Sequence, residues 1–403
     1  MTARVLLVLG SLLLPAAATL TLPSGPRSLR RAAMVACGLA SLLAACAAAG
    51  SSLVPQEPLS AGWILTDRPT ALGLAVYAAV AVAALALAAT RDLTRPRVLG
   101  VLCTVGGTLL AIAAANPVLL AVGWTIGCAP FIVGPLVVPG VWRPRVALAA
   151  SVCALVAGVL AMVSGDPQSG IPTFARLHGT DAGGAVAFTG LMLAVLLRKG
   201  IFPAQAWVAD LTDVGAMPAS VLVNGHLGAV VLARVLVPVF PTQASQAFVL
   251  LSDLALFTAL SAAVRAVAEP SARRVLALVV LSQSACILAG LESGTPEGMA
   301  GAFIHLGVVA VSTTALLGVL RGVEARGGEI DLRQSYGYVH ATPRLAVGFL
   351  VSALALVGLP GTLGFAAEDL LVHGSLASHP QVGLLLPVAT ALNAVCLFRL
   401  FSR

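Results

Sequence analysis

The 403-residue chain is 59% apolar and only 10% charged, with a mean hydropathy of +1.01. This composition excludes a soluble globular domain and leaves an all-α polytopic membrane protein. The net charge of +7 is no nucleic-acid footprint, because the arginines fall in short clusters between apolar runs with no basic face, a pattern that topology explains.

Runs of roughly 17 to 25 apolar residues can cross a bilayer, and about 13 occur here. The run from Val5 to Leu20 reads as a first transmembrane helix rather than a removable signal, since so many spans follow it. Segments 1 to 3 lie near 4–20, 32–49 and 71–90, and segments 4 to 8 near 98–115, 117–139, 146–163, 184–203 and 217–238. Segments 9 to 13 lie near 246–267, 274–291, 300–320, 345–374 and 382–401. The chain then divides into an amino-terminal three-helix region over 1–97, a first five-helix repeat over 98–240 and a second over 241–403. The seven cysteines (37, 46, 103, 128, 153, 286 and 396) lie in apolar runs without CxxC spacing and read as packing residues. No metal site and no cofactor are expected, and no phosphate loop or nucleophile–base pair suggests chemistry of the chain's own.

Arginine placement sets the expected orientation. The connections after segments 1, 3, 5, 9 and 11 carry Arg27, Arg30 and Arg31; Arg91, Arg95 and Arg97; Arg143 and Arg145; Arg273 and Arg274; and Arg326, Arg333 and Arg344. The even-numbered connections are poor in arginine, and Glu292 and Glu297 are the only charges in one of them. The positive-inside rule places the amino terminus outside and the carboxyl terminus, with Arg399 and Arg403, in the cytoplasm.

Segment 7 ends in Arg198-Lys199, and four residues on, Pro203 removes a backbone donor and breaks the helix. In hydrocarbon such a break is tolerated only where it is buried in protein or lines a wet cavity. Lys199 is the only lysine in the chain. Arginine cannot give up its proton, whereas a desolvated lysine can, so Lys199 reads as a titratable group. The plainer alternative is an interfacial lysine snorkelling to headgroups. Segment 12 carries a second expected break at Gly358, Pro360 and Gly361, followed by Glu368-Asp369. Breaks in helices 7 and 12 fall at corresponding places in two five-helix halves of opposite direction, the inverted-repeat signature of transporters. Packing alone also accounts for Gly and Pro in membrane helices.

Ionisable residues at membrane depth are functional hypotheses by default. His226 in segment 8 is placed to pass protons or to bond a neighbouring helix. His305 opens segment 11. Asp253, two turns into segment 9, is either a partner for Arg234 or Lys199 or an interfacial cap. Glu368 and Asp369 can load or release protons at one face, or can simply be a solvated helix end. Ser282, Gln283 and Ser284 can hold a water chain or bond across helices.

The ordered set Lys199-Gly200-Ile201-Phe202-Pro203 with Trp207, Pro218-Ala219-Ser220, Arg273-Arg274-Val275-Leu276-Ala277 with Leu281-Ser282-Gln283, Phe303-Ile304-His305-Leu306, and Ala353 to Pro360 with Gly364-Phe365 and Glu368-Asp369 resembles the antiporter-like membrane subunits. These include the proton-channel subunits of respiratory complex I, their relatives in Mrp sodium/proton antiporters and membrane hydrogenases, and the membrane subunit of Dab inorganic-carbon uptake systems. The resemblance covers about residues 98–401. It implies two inverted five-helix repeats and a central line of charged groups that carries protons. Arg198 falls in the helix-7 lysine slot with Lys199 beside it, His305 in a helix-11 histidine slot, and Glu368 and Asp369 at the acidic site after the helix-12 break. The sequence departs from the pattern at Thr125, where a glutamate usually follows the tryptophan, at Thr313 or Thr314 in the helix-11 lysine slot, and at Asn224 in a usual histidine slot.

Three functions therefore stay open: a proton-conducting membrane subunit of a larger complex, a Dab-type subunit that energises carbon dioxide and bicarbonate uptake with a zinc-containing partner, and a structural subunit that does not conduct. Expected partners are other membrane or peripheral subunits, the lipid bilayer, and protons or sodium, with no nucleic acid.

Overall fold

A computed structural model of the chain describes residues 3–50, 62–166, 170–214, 219–224 and 227–403; the side chains at 214, 219, 220 and 224 also lie outside the description. His226 and Pro218 are therefore not among the described residues. In chain order the main helices are α1 (Ala3–Leu20), α2 (Pro26–Ala49), α3 (Arg68–Leu87), α4 (Arg95–Ile112), α5 (Pro117–Ile132), α6 (Arg143–Ser164), α7 (Gly184–Lys199), α8 (Ala206–Val214), the run α9 (Val221–Val239), α10 (Pro241–Ala268), α11 (Ala272–Glu292), α12 (Pro296–Gly327), α13 (Pro343–Leu356), α14 (Leu363–Ser378) and α15 (Pro380–Ser402). Ten of these are long and apolar enough to cross a membrane, so the chain is a multi-pass, all-helical membrane protein. The other expected segments are short or divided: segment 5 is α5, segment 7 is α7 with α8, and segment 12 is α13 with α14.

Local sequence explains where many helices begin. Proline occupies the first positions of α2, α4, α5, α6, α12, α13 and α15, where its missing N–H costs nothing and its fixed φ suits the helix. The Asn116 side chain accepts from Leu119 N at 2.8 Å, and Thr295 caps α12 by accepting from Gly298 N at 3.1 Å.

The structure separates into two compact units, 1–86 with 90–195 and 230–244, and 87–89 with 196–229 and 245–403. These are divisions by packing, whereas a repeat is a division by symmetry, so the two need not share boundaries. In the first unit α4 and α5 cross at small residues: a Cβ on Gly123 would sit 2.6 Å from Ala111 N, so the backbones meet closely. Trp124 is fully buried and donates to Ser151 Oγ at 3.2 Å, which donates to Ala194 O at 2.8 Å. Thr125, next along, faces outward and bonds back to Ala121 O at 2.8 Å. Arg234, in a π-helical turn at Leu232–Leu236, bonds to Thr70 and Asp67.

In the second unit α11 is enclosed from Val275 to Glu292, every residue buried. Small residues let α12 and α14 close on one another, since a Cβ on Gly301 would lie 2.8 Å from Leu371 N. The end of α11 that begins with arginines is tied by ions. Arg273 Nε bonds both oxygens of Glu324 at 2.7 and 3.0 Å, its Nη1 donates to Asp213 O at 3.1 Å, and Arg321 donates to Thr212 O at 3.3 Å. Arg274 lies 3.4 Å from Asp213 and 3.7 Å from Asp210. The short helix α8 is thereby fastened to α11 and α12.

Candidate functional site

The site is built on the end of α7. Gly200 takes φ +69, a left-handed conformation that stops the helix and that a side chain would resist; a Cβ there would also press on Val208. The chain then turns through Ile201 to Gln205, with Pro203 in the turn, before α8 begins. The freed backbone groups find partners inside the protein: Trp207 Nε1 donates to Leu197 O at 2.9 Å, and Phe202 N donates to Thr258 Oγ1 at 3.1 Å. The broken helix thus leaves two adjacent cations, Arg198 and Lys199, with no exposed surface. Arg198 Nε donates to Val223 O at 3.0 Å. A lysine snorkelling to headgroups would be exposed; this one is enclosed by protein.

Two other groups in this unit are fully buried, Glu292 at the end of α11 and His305 on α12. His305 Nε2 is 2.8 Å from Gln283 Oε1 of α11, while its Nδ1 is buried with no hydrogen-bond partner among the described residues. On the preceding residue of α11, Ser282 Oγ accepts from Asn393 Nδ2 of α15 at 2.9 Å. His305 and Glu368 then line one cavity of about 50 Å³, together with Cys286, Leu371, Pro387 and Thr390. A site of that size, with polar groups at two ends, has room for about three waters.

Glu368 sits one turn into α14. Its Oε1 accepts from Thr390 Oγ1 at 3.1 Å, and its other oxygen lies against the second break, where a Cβ on Gly358 would come within 2.6 Å. Gly358 and Gly361 hold φ +67 and +95, with Pro360 between them. The glycine that interrupts segment 12 therefore also makes room for the carboxylate.

Of the residues singled out from the sequence, Lys199, Arg198, His305 and Glu368 are buried or half-buried in one unit, and His305 and Glu368 line one cavity. Asp253 and Asp369 are exposed and stand apart: Asp253 accepts from Gln381 Nε2 at 3.3 Å, and Asp369 faces His373 at 3.4 Å. Arg234 pairs with Asp67 rather than with Asp253. Thr313 and Thr314 spend their hydroxyls on Val309 O and Ala310 O of their own helix, at 2.6 and 2.7 Å. Glu292, a connecting acid by its place in the sequence, is buried to 1% exposure at the end of α11. The available signal was its position directly after an unbroken apolar run, with no polar residue between it and Cys286.

The sequence profile of the NADH:quinone oxidoreductase/Mrp antiporter transmembrane family matches residues 145–393. The chain belongs to this family. Among its relatives, NADH-quinone oxidoreductase subunit 13 of Thermus thermophilus is 30% identical over 218 residues, 53% of this chain and 46% of that protein. The match thus spans about half the length of that relative. A chain of the Thermus thermophilus respiratory complex I structure with bound NADH superposes with a TM-score of 0.83 at 25% identity, covering 99% of this chain and 88% of that one. A chain of the Mrp complex from Dietzia sp. DQ12-45-1b superposes with a TM-score of 0.84 at 21% identity, covering 99% and 80%. The second likeness is one of fold. The structure shows both expected breaks, one between α7 and α8 and the other between α13 and α14.

Proposed function

We propose that the chain is a proton-conducting membrane subunit of a larger complex of the complex I or Mrp type, with its amino terminus outside and its carboxyl terminus in the cytoplasm. The relatives' names support assembly with other membrane subunits. The observation that carries the reading is the cavity shared by His305 and Glu368 in the same unit as the enclosed Lys199. A proton passes from Lys199 to His305, crosses the cavity through ordered water and reaches Glu368 at the second break. Arg198 keeps its charge and sets the field around Lys199. A partner drives the step by changing the charge near this line, which alters how readily Lys199 holds its proton.

The reading is tested in the assembled complex reconstituted into vesicles, by Lys199→Ala and Lys199→Arg. Both are expected to abolish proton flux driven by the complex; flux unchanged in both removes the lysine from the mechanism. A second reading, a subunit that holds its complex together without conducting, is favoured by the uncharged Thr125, Thr313 and Thr314. It predicts no difference between wild type and either variant.

A further inference from the structure

We propose that the furrow between α13 and α15 is a binding site for one phospholipid with an anionic headgroup, its head among arginines at one end and an acyl chain along its length. The inference goes beyond the conduction reading and uses no residue of the proposed proton line.

The furrow begins in a cavity of about 80 Å³ where α12 and α15 finish and α13 starts. Its walls are apolar, with Leu320 and Val323 of α12, Leu345 and Phe349 of α13, and Leu400 of α15 among them. Phe349 stacks on Phe401 of α15 with ring centroids 6.3 Å apart, and Phe401 also lines a shallower hollow of about 10 Å³ together with Leu350, Leu354 and Val357 of α13 and Ala394 of α15. The two hollows share Phe401 and so follow one another between the same two helices. From Leu345 to Val357 the helix rises about 18 Å. One leaflet of a bilayer, half of a hydrocarbon core of about 30 Å, has nearly that depth. An acyl chain laid along the furrow therefore reaches from the membrane surface to mid-depth, and it ends at Val357, next to the second break.

Charge at the mouth selects the head. Arg403 lines the cavity and Arg344 directly precedes Leu345 in its wall. A Cβ on Gly322 would meet Leu345 Cδ1 at 3.6 Å and Arg326 Nη1 at 3.9 Å, so the Arg326 guanidinium stands beside the same wall. All three arginines are exposed, and no acid is among the residues that line the cavity. At the same end of the bundle Arg273, Arg274 and Arg321 are answered by Glu324, Asp213 and Asp210, which leaves Arg326, Arg344 and Arg403 as the cations turned to the surface. Tyr338 lines the cavity too, its hydroxyl against Gly327, next to Arg326. Guanidinium forks match phosphate oxygens, and tyrosine suits the level of the headgroups. Basic mouths on apolar clefts between membrane helices are sites for acidic lipids.

The test titrates the purified chain in detergent with phosphatidylglycerol and with phosphatidylcholine of the same acyl chains, and reads bound lipid by native mass spectrometry. One phosphatidylglycerol is expected to bind about tenfold or more tightly than phosphatidylcholine. Arg326→Gln, Arg344→Gln and Arg403→Gln together are expected to remove that preference, and Ala346→Leu, which fills the cavity, to weaken both lipids. Equal affinity for the two lipids in wild type, a preference that survives the triple variant, or unchanged binding in Ala346→Leu overturns the proposal. Glycerophosphoglycerol, the same head without chains, is expected not to bind; binding equal to that of the lipid overturns the role of the furrow in favour of a free phosphate ester. A measurement on the wild-type chain guards against variants that do not fold: phosphatidylglycerol with a photoreactive diazirine on its acyl chain is expected to label Leu350 or Leu354, as mapped by mass spectrometry. Labelling confined to other helices overturns the proposal.

Discussion

Replacing Gly358 by alanine tests whether the second break and the Glu368 carboxylate form one device. The glycine holds φ +67, where a side chain costs about 1 to 2 kcal/mol. The new Cβ would stand 2.6 Å from Glu368 Oε2 and 3.1 Å from its Cδ. The carboxyl must therefore swing away, which endangers the 3.1 Å bond from Thr390, worth about 1 kcal/mol. The expected loss is about 2 to 3 kcal/mol. Gly361→Ala is the matched control. Gly361 holds φ +95 but has nothing within 4 Å of a Cβ, so it carries the backbone penalty alone.

Thermal unfolding of the purified chain in detergent and proton flux of the complex, corrected for protein amount, are the two readouts. Gly358→Ala should unfold earlier than Gly361→Ala and should lose more flux. Shortening the acid with Glu368→Asp withdraws the carboxylate by about one carbon–carbon bond, ~1.5 Å. Added to Gly358→Ala, it should recover part of the stability. Equal effects of Gly358→Ala and Gly361→Ala, with no recovery in the double variant, would refute the claim that the break is shaped around the acid.

Two further outcomes follow from buried partners. Gln283→Leu strips His305 Nε2 of its 2.8 Å partner while Nδ1 already has none among the described residues; unfolding in detergent should show a loss of about 1 to 3 kcal/mol, and flux should fall. Arg273→Met leaves Glu324, whose side chain is 2% exposed, with Arg321 at 3.5 Å as its remaining ion-pair partner among the described residues; a loss of about 3 kcal/mol is expected, and Arg273→Met with Glu324→Met should be milder, because removing both charges leaves neither buried alone.

Much of the fold was legible in the sequence because a bilayer imposes a length and an apolarity that few soluble segments meet. The breaks were legible for a related reason: Pro203, Gly358, Pro360 and Gly361 act on the backbone through chemistry that does not depend on neighbours. What hydropathy could not separate was one apolar environment from another. Asp253 and Glu292 each stand at the edge or within an apolar run, and nothing in the run distinguishes a face turned to lipid from a face turned to protein, since a membrane helix is apolar all round. The structure exposes the first and buries the second. Cysteine shows the same ambiguity: Cys128 and Cys286 are buried, whereas Cys46 and Cys153, in equally apolar runs, are exposed.

The site divides along that same line. Lys199 stood out because the chain uses arginine for every other basic residue, a choice visible in composition alone. Its connections did not stand out, because they cross between helices: Gln283 meets His305 over 22 residues of chain, and Thr390 meets Glu368 over another 22. Pro387, inside α15, also lines the cavity between His305 and Glu368. The proposed proton line is therefore a matter of helix packing, with each member ordinary in its own segment. The histidine of α12 and the acid at the second break meet one space only once α11, α12, α14 and α15 close around it.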